Sequence, residues 1–297
     1  MAGKTRSGEM IPTRPISRRE FTMLSIAAGL TAAAGVDAAP ATTAVSVTDV
    51  EVRTPSGVCD AALAHRRGTG HWPAVIMFPD AFGLRPTLRE MAGRLAAVGY
   101  TVLVPNPFYR STKAPGIGPN FDFDNPEDRA KLNALRAPLT NDGVAQDAAA
   151  FIDFLDRLPA VNRMSKMGVV GYCMGGRMTM QAAAALPARI GAGASFHGGG
   201  LVTDKPDSPH LLVPGIKARY YFGVAANDDE REPDVKVRLA EAFRTAQLVA
   251  KIDVYDGTLH GWCIKDMPGR GGRAIYDERQ AERAWSELLT LFKLALV

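Results

Sequence analysis

The chain has 297 residues, 46% apolar and 22% charged, which is the composition of a globular protein and excludes a disordered one. Its formal charge of +4 is too small to mark a nucleic-acid partner, and part of it sits on Lys4, Arg6, Arg14, Arg18 and Arg19 in the first 39 residues. Three cysteines, Cys59, Cys173 and Cys263, cannot all pair, and neither they nor the five scattered histidines show metal-ligand spacing, so no metal is expected.

At the N-terminus, Ser17-Arg18-Arg19-Glu20-Phe21 leads into the apolar stretch Met23 to Ala34, too short to span a bilayer and followed by small residues and Pro40. This is the layout of a bacterial twin-arginine export signal, with cleavage after Ala38 or Ala41. Residues 1–41 are accordingly read as a signal and leader, and residues 42–297 as one domain. The expected location is the periplasm or outside the cell, with the twin-arginine machinery as a partner and no stable membrane span after processing.

From Val45 to Arg53 and from Val58 to Leu63, around Pro55-Ser56-Gly57, the pattern predicts an N-terminal edge hairpin. From Pro73 onward, short β-branched runs alternate with helix-length segments, as in a mostly parallel central sheet with helices on both faces. The predicted strands are 73–78, 100–104, 167–171, 191–196, 219–224 and 251–255. Pro86 to Val98 is the best-marked helix, with Pro in its first turn, Leu88, Met91, Leu95 and Val98 at helical spacing, and Gly99 at its end. Further helices are predicted over 141–157, 175–186, 234–247 and 277–296. The long connection Asn106 to Thr140, with five prolines, reads as part of a lid or as a surface loop.

Met167 to Gly176 reads as a strand, then G-x-C-x-G-G, then a helix. A nucleophile on so sharp a turn needs small neighbours, because backbone and helix come too close for a Cβ. The helix N-terminus ahead of the sulfur favours thiolate. A thiolate hydrolase also needs a histidine oriented by a carboxylate, in the chain order nucleophile, acid, histidine. Asp228, with Asp229 as the alternative, follows the strand ending at Val224, and His260 follows the strand ending at Tyr255. His197, after strand 191–196, is a rival base that precedes both acids. The amides of Met174 and Ala81 are the expected oxyanion donors. Asp80 either caps the helix at Pro86 or gates the thiol.

Together Asp80-Ala81-Phe82-Gly83-Leu84, Gly171-Tyr172-Cys173-Met174-Gly175-Gly176, Asn227-Asp228 and His260-Gly261-Trp262 resemble the dienelactone hydrolases, or carboxymethylenebutenolidases, from about Val45 to the C-terminus. The resemblance implies an α/β-hydrolase fold and hydrolysis of a small-molecule ester or lactone through a thioester on Cys173, without a cofactor. It also implies that Asp80, where the family has glutamate, gates the thiol, that Arg110 binds a substrate carboxylate, and that Phe82 and Tyr172 touch substrate. The family's second arginine is replaced by Ile264. A thiol redox protein using Cys173 and Cys263, and a non-catalytic binding protein on the same fold, are the competing readings.

Overall fold

In the computed structural model, residues 44–118, 121–269 and 272–297 are described; the expected export signal lies outside them. The first strands, β1 (Val45–Thr54) and β2 (Gly57–Arg66), form the expected hairpin. Both are longer than predicted, and only β1 is an edge. Ala61 to Ala64 of β2 are buried because β2 also pairs, antiparallel, with β4 (Thr101–Pro105).

Six strands then run parallel: β3 (Ala74–Phe78), β4, β5 (Met167–Tyr172), β6 (Ile190–Phe196), β7 (Arg219–Ala225) and β8 (Ala250–Tyr255). The sheet order is β1-β2-β4-β3-β5-β6-β7-β8. Every residue of β3 and β4 is buried, as expected of central strands covered on both faces. Alternation along the strands divides the core. Val75, Met77, Val102 and Val104 pack with α1 (Pro86–Ala97) and α7 (Glu278–Leu296). Ile76, Phe78, Leu103 and Val169 pack with α3 (Asn141–Asp156), α4 (Met174–Ala185) and α6 (Asp234–Thr245).

Two helices depart from the sequence reading. The connection 106–140 contains α2 (Pro126–Arg136), started by Asn125, whose side chain accepts from the amides of Glu127 and Asp128. Only Leu132 is buried along it, so it carries no apolar period to betray it. A single short turn, α5 (Ala226–Arg231), holds the candidate acids. Gly99 has φ +101°, the left-handed end of α1 that its position predicts. Among the described residues no helix is long and apolar enough to cross a membrane.

Candidate active site

The chain turns from β5 into α4 on one residue, Cys173, at φ 53° and ψ −117°. A non-glycine residue held there costs about 1–3 kcal/mol, which surrounding structure must offset. The Cys173 amide donates to Phe196 O at 3.1 Å, and its carbonyl accepts from Gly176 and Gly199 at 3.0 and 3.2 Å. The flanking glycines are obligatory: a Cβ on Gly171 would lie 2.1 Å from Gly175 O, and one on Gly175 would lie 2.3 Å from Phe78 O. Cys173 is partly exposed and packs against an apolar cluster of Ala81, Phe82, Phe108, Ile117, Leu132 and Met174. The cluster includes a residue of α2, so the long connection does cover this site in part.

His260 comes to the same place from the loop after β8. Its Nδ1 lies 2.6 Å from Asp228 Oδ2, and its amide donates to Asn227 Oδ1 at 2.8 Å, which ties the histidine loop to α5 at two points. A third tie comes from Thr258, whose hydroxyl donates to Tyr255 O at 2.6 Å and accepts from the Ala226 amide at 3.3 Å. Burial would depress the imidazole pKa. The charge of Cys173, hydrogen bonding with Asp228 and Cys173, and the Asp228 charge outweigh it and raise the pKa to about 10. Asp228 Oδ1 also accepts from the exposed Arg231 at 2.9 Å. Asp229 points elsewhere, with Lys236 Nζ 2.6 Å from its Oδ2.

His197 is fully buried at φ 40°, 5.0 Å between ring centroids from His260, and neither ring nitrogen has a partner among the described residues. Burial and then the neighbouring His260 push its pKa well below that of a free imidazole, which makes it a poor base. Its main-chain N–H donates to Gly223 O at 2.7 Å.

The loop after β3 lies against the start of α4, because Phe78 O and Pro79 O approach Gly175 where a side chain would otherwise be. Among the described residues, neither the Ala81 nor the Met174 amide has an acceptor. Asp80 is 1% exposed and does not cap α1, and among the described residues its carboxylate has no hydrogen bond to the Cys173 thiol. Its carboxylate accepts from Arg85 through both oxygens, at 2.7 and 2.9 Å, and from the Phe82 amide at 2.9 Å. Arg85 also grips Asp266 through two bonds of 2.9 Å, so one guanidinium fastens the loop after β3 to the loop carrying His260. Sequence reading missed this clamp, since an arginine before Pro86 looked like part of a helix start.

Two residues expected to touch substrate are placed elsewhere. Arg110 is spent on Asp147, with bonds of 2.8 and 2.9 Å to its two oxygens, and on Ser56 at the hairpin turn. Tyr172 sends its ring into the α1/α7 core and stacks on Phe196, because neighbouring strand residues face opposite ways. Phe82 does stay beside Cys173, edge-on to Phe121 and Phe123 at 5.9 and 5.7 Å. All three cysteines are free, and Cys263 packs with the α1/α7 core rather than the cluster around Cys173. Burial holds the Cys263 thiol well above its usual pKa. Among the described residues no group of three or more His, Cys, Asp or Glu side chains is arranged to hold a metal ion.

Comparison with known proteins agrees with this architecture. The profile of the dienelactone hydrolase family matches residues 59–296. Carboxymethylenebutenolidase 1 of Cupriavidus pinatubonensis is 28% identical over 194 residues, 65% of this chain and 77% of the relative. A dienelactone hydrolase-like promiscuous phosphotriesterase from metagenomic libraries shares the fold, with a TM-score of 0.68 and 22% identity over 86% of this chain and all of its own. Dienelactone hydrolase from Anabaena variabilis does so at a TM-score of 0.58 and 18% identity, over 85% of this chain and 99% of its own. The chain is an α/β-hydrolase and belongs to the dienelactone hydrolase family.

Proposed function

We propose that the protein hydrolyses a small ester or lactone through a thioester on Cys173, with Asp228 and His260 completing a triad. The observation that carries this reading is the convergence of the strained Cys173 turn with an imidazole held 2.6 Å from Asp228 and raised to a pKa of about 10 by its neighbours. An imidazole oriented by Asp228 beside the sulfur can take the thiol proton, so no further base is needed to start the reaction.

The thiolate attacks the carbonyl carbon, and the amides of Met174 and Ala81 receive the oxyanion. Collapse expels the alkoxide, which takes the proton from His260 Nε2 and leaves a thioester on Cys173. The neutral imidazole then takes a proton from water as the hydroxide oxygen attacks the thioester. Collapse of that second intermediate releases the carboxylic acid and restores the thiolate and imidazolium. Asp228 fixes the ring through Nδ1 and stabilises its charge in both halves.

The acyl group would lie on the cluster of Phe82, Ile117, Leu132 and Met174, which favours apolar groups. With Arg110 paired to Asp147 and a buried Ile264 at the other arginine position, the carbonyl end of the substrate would be neutral. Export by the twin-arginine route, resting on Arg18-Arg19 and the apolar stretch after them, belongs to the same reading. The test is a panel of p-nitrophenyl esters with neutral and anionic lactones, using Cys173→Ala as control. Neutral apolar esters should be hydrolysed fastest and the control should fall by orders of magnitude; an anionic lactone hydrolysed best would refute the substrate assignment.

A further inference from the structure

Two arginines line a pocket that the proposed hydrolysis does not use. It is a cavity of about 230 Å³ where the end of α2 meets the start of α4, lined by Arg136 and Arg177, by the polar Asn133, and by the apolar Ala137, Leu139, Met174 and Met178. Arg177 is half-buried, and its Nε is shut off from solvent without a hydrogen-bond partner. Among the described residues neither arginine forms an ion pair.

The contrast with the other inward arginines is sharp. Arg85 and Arg110 are each bidentate to a buried aspartate, whereas Arg177 has only the field of Asp207 in its favour and the like charge of Arg136 against it. A half-buried cation without a partner is costly, and a second cation on the same cavity adds repulsion. Arg136 alone is explained by its place in the last turn of α2, where a cation suits the helix dipole. That does not explain why Arg177 faces the same space unpaired. An anion between the two would relieve both costs.

We propose that this pocket binds a short-chain organic carboxylate, its charged end between Arg136 and Arg177 and its apolar tail on Leu139, Met174 and Met178. Two planar guanidinium groups suit a carboxylate better than a point anion, and apart from Asn133 the remaining lining is apolar, which suits a hydrocarbon tail rather than a second charge. The volume is below that of most drug-sized pockets, which limits the tail to a few carbons. Met174 separates the pocket from Cys173, because its side chain also belongs to the cluster on which the sulfur packs. The ligand class matches the acid that ester hydrolysis releases; that link rests on the function proposed above, but the binding itself does not.

The test is a titration of the full chain with hexanoate, read from the methyl resonances of ¹³C-methyl methionine. Saturable shifts of Met174 and Met178 are expected in the wild type and in Cys173→Ala alike, with hexanamide giving none. Arg136→Gln, on the exposed wall, and Arg177→Gln should each weaken binding at least tenfold. Shifts produced equally by hexanamide, displacement of hexanoate by equimolar inorganic phosphate, or unchanged affinity in folded Arg136→Gln would overturn the proposal. Hexanoate binding in a chain whose Cys173→Ala variant keeps full esterase activity would sink the proposed mechanism and leave the pocket standing.

Discussion

Replacing Arg85 by Met should destabilise the fold and lower activity together. The guanidinium spends two bonds on Asp80, two on Asp266 and one, at 3.2 Å, on Gly83 O. Asp80 is 1% exposed, so without Arg85 its carboxylate is a buried charge with only the Phe82 amide for company. Breaking a buried pair from one side costs about 3–5 kcal/mol. The Asp266 half, whose carboxylate is 39% exposed, adds no more than about 1 kcal/mol. Urea unfolding at neutral pH should therefore show Arg85→Met less stable by about 3–5 kcal/mol and Asp266→Asn by about 1 kcal/mol or less. The double variant Asp80→Asn, Arg85→Met should recover most of the loss, since no charge is left stranded. Turnover should fall as well, because the Ala81 amide sits on the freed loop, and a misplacement of about 1 Å can cost ~100-fold. A loss below about 1 kcal/mol in Arg85→Met, or no recovery in the double variant, would refute the reasoning.

Three further outcomes follow from the same geometry. His260 is held protonated up to a pKa of about 10, so its capacity to protonate a leaving group, and the stability it contributes, is present at neutral pH and lost as pH rises through about 10; a pH–rate profile whose alkaline limb falls near 7 instead would contradict this. Gly171→Ala should not yield folded protein, because its Cβ would sit 2.1 Å from backbone, whereas Gly199→Ala, with open space around it, should change unfolding free energy by less than about 0.5 kcal/mol. Asp228→Asn should lower kcat by about 10⁴-fold while Asp229→Asn, whose partner is Lys236, should stay within about tenfold of wild type; equal losses in steady-state assays would remove the distinction between the two acids.

Most of the fold was legible because its strands are short, largely apolar runs between helix-length segments, and all six parallel strands fall within one or two residues of their predicted bounds. The placement of Asp228 beside His260 could be anticipated for the same reason, each following a strand whose end could be found. What escaped was held by long-range pairing. Arg110 and Asp147 are 37 positions apart and Arg85 and Asp266 are 181 apart, so no local pattern announces that these charges are already satisfied. Asp80 could be seen as unusual, yet its partner five residues on was hidden in a helix start. Tyr172 was misassigned by adjacency to Cys173, where the sharp turn and strand alternation separate neighbours by a whole sheet. The helix α2 was hidden for a simpler reason, that its outer faces are polar, although Asn125-Pro126-Glu127-Asp128 is a recognisable start.

The central claim is the thioester on Cys173. Incubation of the His260→Gln variant with p-nitrophenyl butyrate at alkaline pH, acid quench and mass spectrometry of the peptide containing residue 173 tests it directly, since base in solution can replace the imidazole in generating the nucleophile, whereas deacylation then lacks its positioned base. A butyryl adduct on Cys173 that hydroxylamine removes is expected. A peptide that stays unmodified while the Cys173→Ala protein hydrolyses the same ester at the wild-type rate would contradict it.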